Sequence, residues 1–408
     1  MKKTVLKQYA NLLVEMGVGL KKGQELNVYI SIHQEALAKE IMIAAYKKGA
    51  SKVTIEWGSE DIQKVQYRYL TAKKLAKYED WQLAKFQHRV DVLPARLLVV
   101  DDDPDGMKGV NQKKVAQARM MSYPIIKPYI DKIENKEQWC IAGAASPRWA
   151  KKVFPDLPKS KAVEKLWEAI LEASRMTDDP VQSWKDHNAD LRKKCDFLNG
   201  LGLKSLHYKA SNGTDFTVGL IDDALFMGGS EFALGSNIEF NPNIPSEEVF
   251  TSPMKGEAEG IVYSAMPLSY QGQLIENFSV RFEGGKAVEV KAEKGEDLLK
   301  QMIAMDADAP YLGEVALIPY DSPIRNTGVL FYETLYDENA SCHLALGAGF
   351  TNTIKDYDKY TQDELKAKGV NDSMIHVDFM IGTKDMNITG TTKDGKTIEI
   401  FKDGNWAF

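Results

Sequence analysis

The chain has 408 residues, 44% of them apolar and 27% charged, and 58 acidic against 52 basic residues give a formal charge of -6. At roughly 150 residues per domain, that length implies two or three domains with a large core that needs no staples. The slight acidity excludes nucleic acid and anionic membrane as main partners, because phosphate binding requires a basic footprint. Cys140, Cys195 and Cys342 are too few and too scattered for a disulfide framework or a structural zinc site. The longest purely apolar stretch, Ile41 to Tyr46, is far short of the ~18 residues of a membrane span. Glu15 interrupts the N-terminal stretch, which has helical periodicity rather than the apolar centre of a leader peptide. These features describe a soluble cytoplasmic protein.

The first half alternates strand and helix patterns. Val5, Tyr9, Leu12, Leu13 and Met16 recur at helical spacing, with Gly17 placed to end the helix. Leu26 to Ile30 reads as a strand, the stretch around Leu37, Ile41 and Ala45 as a helix closed by Gly49, and Val53 to Trp57 as the next strand. That β-α-β unit marks a parallel sheet covered by helices. Arg96 to Val100 and Trp139 to Ala142 are further buried strands, set among helical stretches at Ile62 to Phe86, Val110 to Tyr129 and around Leu166 to Leu171. A polar helix then runs through Trp184, Leu191 and Leu198 to Gly200. Beyond Gly202 the texture becomes short strands punctuated by Gly, Asn and Pro, including a hairpin through Glu283-Gly284-Gly285-Lys286. Helices are expected at Asp297 to Met305 and at Glu338 to Leu346. The expected architecture is an α/β N-terminal domain (residues 1–190) with a mostly parallel sheet, followed by a strand-rich α+β catalytic domain (residues 191–408).

Several common signatures are missing: no GxGxxG opens a helix, and there is neither a GxSxG elbow nor an HExxH helix. Gly390 to Thr397 fits the phosphate-loop pattern, but a strand follows it where a helix is required, so Asp394-Gly395 is read as a hairpin turn. Asp101-Asp102-Asp103 at the end of a strand is read as a solvated turn. His33, His88, His187 and His207 have no partner pattern and are read as structural or surface residues. His376 and Asp378 are two apart in a strand and project from one side, either chelating a divalent ion or forming a hydrogen-bonded pair on a sheet surface. His343 follows Asp337-Glu338-Asn339 and is either a ligand or a core histidine bonded to a carbonyl. Glu247 and Glu248 lie at the head of a β-prone run after Pro245, where a charged strand end is the plainer reading. Glu314 interrupts the apolar strand Leu312 to Leu317, and a carboxylate buried there needs a cation or hydrogen bonds.

Together, IPSEEVFTSP, LGEVAL, FYETLYDENASCHLALG and IHVDFMIG, in that order and followed by GNWAF, resemble the metalloaminopeptidase family of aminopeptidase T, aminopeptidase S and PepS. QELNVYI and KLWEAILEASR extend the resemblance through the N-terminal half. It implies a pair of divalent ions held by two glutamates, two histidines and an aspartate, which here are Glu248, Glu314, His343, His376 and Asp378. It also implies a homodimer in which the N-terminal domain helps to wall off the site. In one place the chain departs from the pattern: Phe350 stands where the resemblance implies a tyrosine near the metals, leaving Tyr357 or Tyr360 to supply a hydroxyl.

The expected activity is a two-metal aminopeptidase acting on short peptides, with zinc, cobalt or manganese as the ions. Glu247, Glu248 and Glu314 are the candidates for the general base, and Glu247 requires the turn after Pro245 to swing it inward. A dipeptidase or other amidohydrolase on the same ligands, and a peptide-binding protein inactive through Phe350, are the alternatives.

Overall fold

The computed structural model describes residues 2–408, which form two compact units. The first contains residues up to Lys185 together with Ser230–Pro245, and the second contains Asp186–Gly229 and Ser246–Phe408.

The first unit is built on a five-stranded sheet in which every pair is parallel. Its strands are β1 (Glu25–Ser31), β2 (Lys52–Gly58), β3 (Ala95–Val100), β4 (Trp139–Gly143) and the short β5 (Asn243–Ile244), in the order β2-β1-β3-β4-β5. The helix α1 (Glu35–Lys48) connects β1 to β2 and stops where Gly49 takes a left-handed φ of 95°. Leu37, Ile41, Ala44 and Ala45 are its buried face, the stripe that the sequence spacing predicts. After β2, Ser59 caps a second helix, α2 (Glu60–Tyr69). β5 is recruited from much later in the chain, and Asn241 anchors it by donating to the Met16 and Gly17 carbonyls.

The second unit holds two antiparallel sheets. One has nine strands and includes the hairpin Gln273–Glu283 with Lys286–Lys294, as well as Asn387–Thr392 with Thr397–Lys402. Gly395 has φ 82° in the turn of the latter hairpin, so the phosphate-loop pattern is indeed a β-turn. The other sheet has four strands, β6 (Val249–Thr251), β7 (Leu312–Leu317), β8 (His343–Gly347) and β9 (His376–Met380), paired in that order. The α/β first half and strand-rich second half match the expected fold class.

One element differs from expectation. Glu338–Leu346 is not a helix: Thr334–Asp337 makes one turn, Glu338–Ala340 a 3-10 turn, and His343 opens β8. Local side chains end the helix. The Asp337 carboxylate accepts the Phe331 and Glu333 N–H groups, and Asn339 Nδ2 donates back to the Leu335 carbonyl. Ladder pairing of His343 with Ala316 and Met380 then overrides the helical propensity of Leu344 to Leu346.

Candidate metal centre

The four-stranded sheet collects the ionisable residues by parity and register. Asp378 is paired with Ala345, and Ala345 with Glu314, so these three side chains form one row across the sheet. His343 and His376 lie two residues before Ala345 and Asp378, on the same face. The next row is Phe250, Ala316 and His343, and Glu248 precedes Phe250 by two. Glu248, Glu314, His343, His376 and Asp378 therefore share a face, with the small Ala316 and Ala345 leaving room between them. Gly347, opposite His376, has φ 103°, and a Cβ there would lie 2.0 Å from the Ile375 carbonyl, so only glycine admits this approach.

Two groups of potential ligand atoms result, Glu248 with Glu314 and His343, and Glu314 with His376 and Asp378. His343 Nε2 lies 3.5 Å from Glu248 and 4.0 Å from both Glu314 and Asp378. His376 Nε2 lies 3.2 Å from Glu314 and 3.3 Å from Asp378. Glu314 belongs to both groups and is 3% exposed. Both imidazoles are turned alike. His343 Nδ1 faces the Glu338 and Ser341 carbonyls at 3.0 and 3.2 Å, and His376 Nδ1 faces the Ala348 carbonyl at 2.7 Å. A carbonyl only accepts, so Nδ1 carries a proton in both rings and Nε2 is the nitrogen turned to the cluster, where it would present its lone pair to a bound metal.

The electrostatics favour a cation. Burial raises the Glu314 carboxyl, with the Asp378 charge adding to it, while His376 and His343 pull it back. Burial would lower His376, but the charges of Asp378 and Glu314 hold it well above its ordinary value. Burial would raise Asp378, and the His376 charge more than reverses this. Asp378 Oδ1 is buried without a hydrogen bond. Buried carboxylates in this number need compensation, and the N and O donors present fit a divalent ion such as zinc, cobalt or manganese.

Glu247 is not a member of either group. Its N–H donates to Asn339 Oδ1 at 2.7 Å, and its carboxylate lies 3.9 Å from His187 Nε2. One neighbour of the cluster, Glu338, escaped the sequence reading, while His187, read there as structural or surface, is buried beside Glu247. Glu338 is buried, and burial together with the charges of Asp378, Glu248 and Glu314 pushes its carboxyl well above the usual range. Its position beside Asn339 was visible in the sequence, but the expected helix pointed away from a role. His187 is buried, and its Nε2 lies 2.7 Å from the Ser246 carbonyl, next to Glu247. No local pattern links positions 59 residues apart. The Phe350 ring packs 4.8 Å from that of His376 and 5.3 Å from that of Phe250. Tyr357 packs instead on the cluster of Ile221, Ile354, Leu365 and Val370, and the Tyr360 ring lies under Lys368 Nζ at 4.4 Å.

A face of carboxylates and imidazoles with Nε2 turned inward, carried on an antiparallel sheet, is a donor set suited to divalent metal. A family model described as "Thermophilic metalloprotease (M29)" matches residues 2–406, and the chain belongs to that family, which makes it a hydrolase of the metallopeptidase class. It is 42% identical over 405 residues to "Aminopeptidase AmpS" of Bacillus subtilis (strain 168), covering 99% of this chain and 98% of that one. The structure described as "Wild-type AmpT from Thermus thermophilus" matches with a TM-score of 0.89 at 36% identity, over 100% of both chains. A dioxygenase structure from Pseudomonas putida KT2440 matches with a TM-score of 0.50 at 13% identity, covering 100% of this chain and 99% of that one, a likeness of fold alone.

Proposed function

We propose that this metallopeptidase is a two-metal aminopeptidase that removes the N-terminal residue of short peptides, with Glu248, Glu314, His343, His376 and Asp378 as the ligands. The observation that carries this reading is the sharing of Glu314 by two groups of donors, an arrangement suited to a carboxylate between two ions. Bound divalent ions supply Lewis acidity toward the scissile carbonyl and lower the pKa of a bound water. The chain's own residues do the rest. The backbone carbonyls of Glu338, Ser341 and Ala348 fix both imidazoles. Glu247, Glu248 and Glu314 are the candidates to take a proton from water and return it to the leaving amine. Of these, Glu247 is the one outside the ligand groups, so its basicity is not spent on metal. A carboxylate near the ligands would hold the substrate's free α-amine and confine cleavage to the first peptide bond.

The relatives' names support peptide substrates and the aminopeptidase reading. No helix among the described residues is long and apolar enough to cross a membrane. The three cysteines are buried and free, which fits the reducing compartment of a cytoplasmic protein, and the homodimer rests on the family resemblance.

The test is hydrolysis of leucine-, arginine- and alanine-p-nitroanilides and of tri- and tetrapeptides by chelator-stripped protein, with zinc, cobalt or manganese restored in turn. Metal-restored release of the first residue, absent in His376→Ala, is the expected result. Cleavage of dipeptides alone would indicate a dipeptidase, and metal uptake without product would indicate a binding protein. In the same assay Phe350→Tyr is expected to raise kcat by up to roughly a hundredfold, the value of one donor to a developing oxyanion. An unchanged kcat would show that the hydroxyl is not needed.

A further inference from the structure

The first unit contains a crevice of about 940 Å3 that the proposed reaction does not use. It lies at the carboxyl ends of β1, β2 and β3. The chain leaves β1 for β2 on one side of the sheet and then returns to place β3 on the other side of β1. That reversal is the switch point at which open parallel sheets bind ligands, and the volume suits a small molecule.

We propose that this crevice binds an organic cation, a primary ammonium or guanidinium group carried on an apolar body. The floor is polar and buried. Asp101, directly after β3, is 7% exposed, and its Oδ2 accepts from Gln34 Nε2 at 3.0 Å. Gln34 is equally buried and is itself held by the Ala145 carbonyl at 3.2 Å, so the carboxylate sits in a built position. No Lys, Arg or His forms an ion pair with Asp101 or Asp102 among the described residues. Burial raises the Asp101 carboxyl, only partly opposed by the Gln34 and Ser31 hydrogen bonds and the nearby His33, and a bound cation would offset the remaining cost of its charge. Of the basic side chains nearby, Arg148 is bidentate to Asp61 at 2.8 and 2.7 Å and Lys152 bonds Asp105 at 2.9 Å, while His33 and Lys159 line the crevice without an ion pair to Asp101.

The walls specify the rest of the ligand. Trp57 at the end of β2 is 50% exposed and Ile62 on α2 is 62% exposed, both lining the crevice. An indole face beside carboxylates attracts organic cations and packs their apolar portion. A bare metal ion is a poorer fit. Among the described residues, donor groups tight enough for an ion occur in the second unit and not in this crevice.

Glu60, also lining the crevice, gives the site a pH signature. Burial pushes its carboxyl up to about 7, opposed by the hydrogen bond from the Asp103 N–H, while the Asp102 and Asp103 charges raise it further and Lys64 lowers it. His33 after β1, Asp61 on α2, Arg148 and Lys159 are the other charged or titratable groups around the crevice. A cation displaces the Glu60 proton, so affinity increases as pH rises through about 7 and protons are released on binding.

The test is calorimetric titration of the intact, metal-loaded protein with isoamylamine, its neutral isostere isoamyl alcohol, and agmatine as the guanidinium arm. The amine and agmatine are expected to bind, the alcohol at least about tenfold more weakly. Glu60→Gln, Asp101→Asn and Trp57→Ala should each weaken the amine about tenfold, with His376→Ala leaving it unchanged. Glu60→Gln and Trp57→Ala alter partly exposed side chains, and they carry the conclusion if Asp101→Asn fails to fold. Equal binding of amine and alcohol would overturn the proposal. So would the absence of saturable heat, or binding abolished by His376→Ala yet retained in Glu60→Gln.

Discussion

Both units gather carboxylates on a sheet, but they do so with different chemistry. In the first unit Asp101 directly follows β3 and Glu60 opens α2 just past the end of β2, and their hydrogen bonds come from the Gln34 side-chain amide and the Asp103 backbone N–H. In the second, Glu248, Glu314 and Asp378 share one sheet face with two imidazoles whose Nε2 atoms point into the cluster. Strand ends give carboxylates spread around an open crevice. A strand face gives convergence, because antiparallel rows stack side chains from adjacent strands within one another's reach. Donors that converge suit a small dication; donors that are spread out suit a larger organic cation.

The largest expected effect comes from breaking the convergence at its shared point. Glu314→Gln removes a charge from both donor groups, and kcat/KM should fall by more than about a thousandfold, several kcal/mol of transition-state stabilisation. Initial rates with metal content measured on the same sample check this. A variant retaining both metal and activity would remove Glu314 from the shared position.

A smaller effect is expected one step away from the cluster. His187→Ala strips the Ser246 carbonyl of a buried donor and should cost about 1–3 kcal/mol of stability. It should also lower kcat with little change in KM, through the displaced Glu247. Denaturant melts alongside steady-state kinetics read both effects, and His187→Gln should recover part of each. Loss of stability with kcat intact would confine His187 to the fold.

The smallest effect separates the two units by pH. The Glu60 carboxyl is raised from 4.5 to about 7 in the folded protein, so the native state binds the proton more tightly than the unfolded state does. The associated stability is complete below the unfolded pKa and is lost as pH rises through about 7. Glu60→Gln should flatten this part of the melting-temperature profile between about pH 5 and pH 8, modestly because the side chain is partly solvated. A parallel profile in the variant would show that burial there is not felt.

Much of the first unit was legible because its signals are local. The helical stripe of α1, its Gly49 stop and the buried strands around it each occupy a few consecutive residues. The helix expected at Glu338 to Leu346 failed for the opposite reason. Its residues suit a helix, and the pairing of His343 with strands distant in the chain decided otherwise. Glu338 was missed on the same ground, since its place beside the cluster comes from what packs around it.

By itself the sequence determined the fold class, the strand parity that puts His376 beside Asp378, and the ordered motifs that resemble a metallopeptidase family. Parity and motif order are properties of neighbouring residues, and they survive without knowledge of the fold. Only the tertiary structure decided the register that sets Ala345 between Glu314 and Asp378, turned both Nδ1 atoms to carbonyls, and left Asp101 buried at a crevice without an ion pair of its own. Register and burial depend on pairings between segments far apart in the chain, where hydrophobic pattern and long-range hydrogen bonds act together.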